Sequence, residues 1–101
     1  MPGLRHVVAV NMQFEEGDPR IKEFFDETKK VYSVIPEVLE YHHYKQIIPD
    51  VPYSYGFVLD FDDQEGFDKC VATPSALEYV KNYWNDKYLK DVLEVNYIEF
   101  D

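Results

Sequence analysis

The chain is short of three things: cysteine, glycine and positive charge. Its 101 residues include one cysteine, Cys70, and four glycines. A lone cysteine excludes an intrachain disulfide and suits a reducing compartment. No phosphate-binding loop, dinucleotide fingerprint or Gly-x-Ser-x-Gly elbow occurs in the sequence. Ten basic residues stand against twenty acidic ones, a formal net charge of -10. A nucleic-acid binder needs a basic stripe to displace the counterions of phosphate. The longest basic run here is Lys29-Lys30. The same balance disfavours an anionic membrane surface. Long apolar runs are missing too, since Val7 to Val10 falls far below a membrane span. The start, Met1 to His6, reads as too short and too polar for a signal peptide. These readings lead to a cytoplasmic protein with neither nucleic acid nor membrane as partner.

What is present argues for a packed core. Hydrophobic residues make up 46% of the chain and aromatic residues 17%, so the acidity is not that of a disordered segment. Leu4 to Met12 reads as a strand, and its continuous Val7-Val8-Ala9-Val10 suggests that both faces are covered. Asp18-Pro19 fits a helix cap and first turn. Ile21, Phe24, Phe25, Thr28, Val31, Tyr32 and Ile35 then follow at helical spacing, up to Pro36. A second strand is expected over Val38 to Ile48. Tyr55 to Phe61 alternates as a third, with Phe57, Leu59 and Phe61 on one face and Gly56, Val58 and Asp60 on the other.

Asp62 to Glu65 suggests a capping box with Asp62 as the cap. A short helix through Phe67, Cys70 and Val71 follows. Thr73-Pro74 restarts the chain into a helix with a Leu77, Val80, Trp84, Tyr88 stripe. The last strand is expected from Val92 to about Phe100. The order β-α-β-β-α-β, with its second helix split, is the ferredoxin-like α+β plan: a four-stranded antiparallel sheet with helices on one face. On the first strand, Leu4, His6, Val8, Val10 and Met12 should face the helices. The other side carries Val7 and Ala9, joined by Gly56 and Val58 from the third strand. That side is too apolar for open solvent, so a homodimer packed sheet against sheet is expected.

Several stretches together resemble one family. They are Leu4-Arg5-His6-Val7-Val8, Glu23-Phe24-Phe25, Ile35-Pro36-Glu37-Val38, Tyr55 to Phe61, and Asp91 to Tyr97. Thr73-Pro74-Ser75-Ala76 stands where that family usually has His-Pro-x-His. The chain from residue 4 to residue 99 resembles the stress-responsive A/B barrel domains, or dimeric α/β barrels. The resemblance implies a dimer whose sheets face each other as a barrel, and a cleft in each subunit between sheet and helices. It implies no single activity. One branch contains a plant polyketide cyclase, and its polar cleft positions fall here on His6, Thr28, Phe57, Cys70 and Ala76. Only the first keeps the cyclase residue. General acid/base catalysis needs a titratable group within reach of the moving proton. Phe57 and Ala76 supply none, which argues against the same reaction.

His6 therefore carries two readings. It is a buried histidine satisfied by a hydrogen bond, or it is the one polar handle, and the one catalytic candidate, in an apolar pocket. Phe25 and Trp84, with Thr28, Phe57, Cys70 and Ala76, could line a cleft suited to a small hydrophobic or aromatic ligand. Three functional readings follow. The first is a domain of unassigned role that binds such a ligand. The second is a cofactor-independent cyclase, isomerase or small monooxygenase. The third is a non-catalytic protein whose dimers assemble into rings.

No metal site is expected. Adjacent strand residues point to opposite faces, so His42 and His43 cannot chelate one ion. Asp60, Asp62 and Asp63 lack the glycine and glutamate of an EF-hand loop. Lys69 adjoins Cys70 in sequence but should point elsewhere on the helix, so Cys70 lacks the basic or histidine partner that makes a thiolate and reads as a small buried hydrophobe.

Overall fold

A computed structural model describes residues 3–101; Met1 and Pro2, part of the polar start considered above, lie outside the described residues. The elements run β1 (Leu4–Met12), α1 (Pro19–Tyr32), β2 (Glu40–Lys45), β3 (Tyr55–Phe61), α2 (Gln64–Val71), α3 (Pro74–Tyr83) and β4 (Leu89–Ile98). The strands form one sheet in the order β2-β3-β1-β4, every neighbouring pair antiparallel. This is the ferredoxin-like arrangement the sequence order implies.

Burial alternates strictly along β1. Leu4, His6, Val8, Val10 and Met12 are buried, while the residues between them are not. The register sets Leu59 and Asn96 opposite His6 on either side, and Phe57 and Glu94 opposite Val8. These residues share the helix-covered face. The three helices bury Phe24, Thr28, Cys70, Ala76 and Tyr79 onto it. The other face carries Val7, Ala9, Gly56 and Val58, all part-exposed. Asp60 lies there too, and its carboxylate accepts from Arg5 Nε at 2.8 Å. At Gly56 the backbones of β3 and β1 come close: a Cβ would lie 2.6 Å from the Val8 carbonyl oxygen. Near its end, the β1–β4 ladder shifts register between Asn11 and Met12. Lys90 is the extra residue, and the shift brings Leu89 opposite Met12, both buried.

Several boundaries differ from the sequence reading. Helix α1 ends at Tyr32, not at the proline, because Pro36 disfavours helix at Ile35 and the chain turns before it. Ile35 is still buried, but from the turn. Strand β2 covers six residues rather than eleven. Pro49 and Pro52 offer no N–H to continue the ladder beyond Gln46, whose amide donates to Ser54. The cap of α2 is Asp63, not Asp62: its carboxylate accepts from Gly66 N at 2.9 Å. Glu65 pairs with Lys69 instead of reaching back to the cap. In α3 the buried face runs through Ala76 and Tyr79, and Leu77 is exposed. Leu77 is more hydrophobic than Ala76, so a pattern read from side-chain type alone sets the face one residue out of phase. The helix stops at Tyr83, which leaves Trp84 as its C-cap and Tyr88 buried in the following turn. Thr73 occupies the cap position, but its hydroxyl donates back to the Lys69 carbonyl at 2.9 Å. Strand β4 begins at Leu89, three residues early, because the bulge extends the pairing.

Candidate functional site

The residues expected to line the cleft are all found between sheet and helices. Phe25, Thr28, Phe57, Cys70 and Ala76 are buried, and Trp84 is half-buried at the same core. Their local contacts explain this. Phe57 packs between the rings of Tyr32 (5.7 Å), Tyr41 (5.9 Å) and Trp84 (6.4 Å). Aromatic pairs at such distances add to the burial of the rings themselves. Thr28 donates its hydroxyl proton to the Phe24 carbonyl at 2.7 Å, so it must accept from the Tyr79 hydroxyl beside it. Tyr79 is thereby a donor, and burial pushes its pKa up to about 12. Trp84 Nε1 is buried near Tyr79 without an acceptor in hydrogen-bond geometry. Burial likewise pushes the Cys70 thiol up to about 11. At neutral pH it is a thiol, not the thiolate that nucleophilic chemistry needs.

His6 differs from this set. It is buried on β1, against the ring of Phe67 on α2 at 4.8 Å. Its Nδ1 lies 2.6 Å from Asn96 Oδ1, and its Nε2 lies 3.5 Å from Glu94 Oε1. With the Asn96 amide so placed, Nδ1 carries the proton and Nε2 presents a lone pair to a carboxylate. Burial lowers the His6 pKa, while Asn96 and Glu94 pull it back up. The Glu94 side chain is 50% exposed, so the pair connects the core to solvent. Asn96 and Glu94 escaped the sequence reading. The signal was the β1–β4 register, which composition and periodicity do not contain.

The two adjacent histidines part as strand geometry requires. His42 pairs with Glu40 at 3.2 Å, and His43 Nδ1 meets the Tyr41 hydroxyl at 3.0 Å on the helix side. No group of three or more His, Cys, Asp or Glu side chains able to hold a metal occurs among the described residues. No helix among them is long and apolar enough to cross a membrane.

No protein-family model matches the sequence, and no curated protein matches it either. Solved structures do match. A DABB family protein with a ferredoxin-like fold from Mesorhizobium loti superposes with a TM-score of 0.91 at 25% identity, over 100% of both chains. The protomer has the DABB fold. That agrees with the resemblance of its sequence to the stress-responsive A/B barrel domains. A similar fold appears in a dimeric ferredoxin-like protein of unknown function from Thermobifida fusca. It has a TM-score of 0.79 at 18% identity, over 97% of this chain and 92% of that one. A hydroxynitrile lyase from Passiflora edulis has a TM-score of 0.82 at 18% identity, over 98% and 94%. Solved structures that share this fold thus include an enzyme and a protein of unknown function.

Proposed function

We propose that the protein is a homodimer of DABB domains, each spanning residues 4–99, and that each protomer binds a small hydrophobic or aromatic ligand at His6. The observation that carries this reading is the His6–Glu94 pair. A titratable ring lies inside an apolar wall, and a half-exposed carboxylate links it to solvent. Around Phe57 the interior is packed, so in this reading the ligand reaches His6 from the exposed Glu94 side, and its one polar group takes the place of the Glu94 carboxylate at Nε2. Val7, Ala9, Gly56 and Val58 form the dimer seam in this reading. They surround a concavity of about 170 Å3 on the open face. Tyr44, Leu93 and Tyr97 are exposed hydrophobic residues of the same face. An apolar area of that kind favours a partner, and a two-fold copy is self-complementary. The Thermobifida fusca protein is described as dimeric, which supports the same assembly here. The buried thiol of Cys70 suits a reducing, cytoplasmic setting.

Thermal-shift screening against aromatic acids and phenols tests the ligand. A compound that binds only the native state must raise its melting temperature. The shift should vanish in His6→Ala. A screen without any shift, or an undiminished shift in the variant, would sink the site. Sedimentation at micromolar concentration tests the dimer, and a monomer there would contradict it.

A second reading makes the same pair catalytic. His6 Nε2 would take a proton from a bound substrate while Glu94 stabilises the imidazolium that forms. That is cofactor-independent chemistry of the cyclase, isomerase or small-monooxygenase kind. The lyase with this fold supports it. Its test is turnover that depends on both His6 and Glu94.

A further inference from the structure

A separate groove lies at the other flank of the helix-covered face, between the first half of α1 and the edge strand β2. Its volume is about 500 Å3, within the usual range of small-molecule sites. Ile21, Phe25 and Tyr55 form its apolar floor, and His43 with Lys22, Lys45, Asp18 and Asp26 its polar rim. The Phe25 ring stands 5.3 Å from His43 and 5.9 Å from Tyr55, both tilted. An aromatic guest can complete this arrangement with edge-to-face contacts. The rim restricts its charge. Lys22 holds Asp26 at 2.5 Å, and Lys45 holds Glu16. Both lysines that line the groove are therefore already committed to a carboxylate, and an anionic guest would have to displace one.

His43 decides the polar requirement. Its Nδ1 is engaged by the Tyr41 hydroxyl at 3.0 Å. Burial and the nearby Lys29 lower its pKa, so the ring is neutral at pH 7. When Tyr41 donates, Nε2 carries the proton and needs an acceptor. When Tyr41 accepts, Nε2 is the acceptor and needs a donor. A hydroxyl satisfies either tautomer. We propose that this groove is a second binding site, for a small uncharged aromatic molecule bearing one hydroxyl that His43 reads.

The test is titration of the 15N-labelled full chain with 4-ethylphenol, ethylbenzene and 4-ethylbenzoate, followed by amide shifts. 4-Ethylphenol should move the signals of Ile21, Phe25, His43 and Tyr55 saturably and leave those of His6 and Asn96 in place. Ethylbenzene should bind about fivefold to tenfold more weakly, the worth of one hydrogen bond. His43→Phe should weaken 4-ethylphenol by the same factor. His43→Gln, which keeps a donor and an acceptor, should restore most of it. His43 is exposed, so both variants should keep the wild-type spectrum. Shifts centred on His6 and Glu94 would overturn the second site while supporting the first. Equal binding of ethylbenzene, tighter binding of 4-ethylbenzoate, an unaffected His43→Phe, or no saturation would each overturn it.

Discussion

His6 and His43 occupy the same face of one sheet and differ in almost everything else. His6 is on an inner strand, under Phe67 of α2. His43 is on the edge strand, beside α1 and open to solvent. Burial lowers the pKa of both. At His6 the Asn96 hydrogen bond and the Glu94 carboxylate oppose that effect; at His43 Lys29 and Lys22 add to it and only Asp26 opposes it. The inner histidine is thus set up to gain a proton when a partner demands one. The outer one stays a neutral hydrogen-bonding ring. The difference comes from strand order and helix placement, not from the residue.

Four measurements test this contrast, the largest effect first. Phe57 is the core residue between the two corners. Phe57→Ala should lower unfolding free energy by about 3–5 kcal/mol in denaturant melts. A loss below about 1 kcal/mol would mean that the cleft there is not packed. His6→Ala should cost about 1–3 kcal/mol, because it leaves Asn96 without its partner and opens space under Phe67. His43→Ala should stay within about 0.5 kcal/mol, as for surface sites generally. Equal costs would erase the distinction.

The third measurement is the pH dependence of stability. Both histidines bind their proton less readily folded than unfolded. The unfolded chain therefore takes up protons first as pH falls through 6.5, and stability, full above that pH, declines below it. The decline should be reduced in His6→Asn. Asp18, held at about 2 by Arg20, loses its contribution only as pH falls below 3.8, so the two windows separate. The smallest effect is at Glu94. Glu94→Gln removes one of the two groups that raise the His6 pKa, so the imidazole should titrate lower by NMR. An unchanged titration would detach Glu94 from His6.

Much of this was legible in the sequence. Leu4, Val8 and Val10 on one face, Asp18 capping α1 before Pro19, and the alternation of Tyr55 to Phe61 all follow from short-range periodicity. Misreadings occurred where the deciding partner was distant or the chemistry ambiguous. Asp62 and Asp63 are equivalent caps by type, and only the course of the backbone selects the second. Ala76 loses to Leu77 on any hydrophobicity count but lies on the buried face. Glu94 and Asn96 lie in the stretch that reads as the closing strand, and nothing local assigns them a face. Their place beside His6 is a property of register across ninety residues of chain. His43 acquires its surroundings from α1, which no local pattern predicts.

The bulge at Lys90 has a consequence for how the chain can change length. On its near side, β4 already carries one residue more than β1, and deletion of Lys90 would leave Leu89 opposite Met12 in a regular ladder. That end of the strand can lose a residue and keep its facing. Beyond it, from Val92 to Ile98, the pairing is one to one. A deletion between Val92 and Val95 would turn every later side chain over, sending Asn96 to the opposite face from His6. Loss of Lys90 therefore keeps the facing of the strand, whereas loss of a residue between Val92 and Val95 does not.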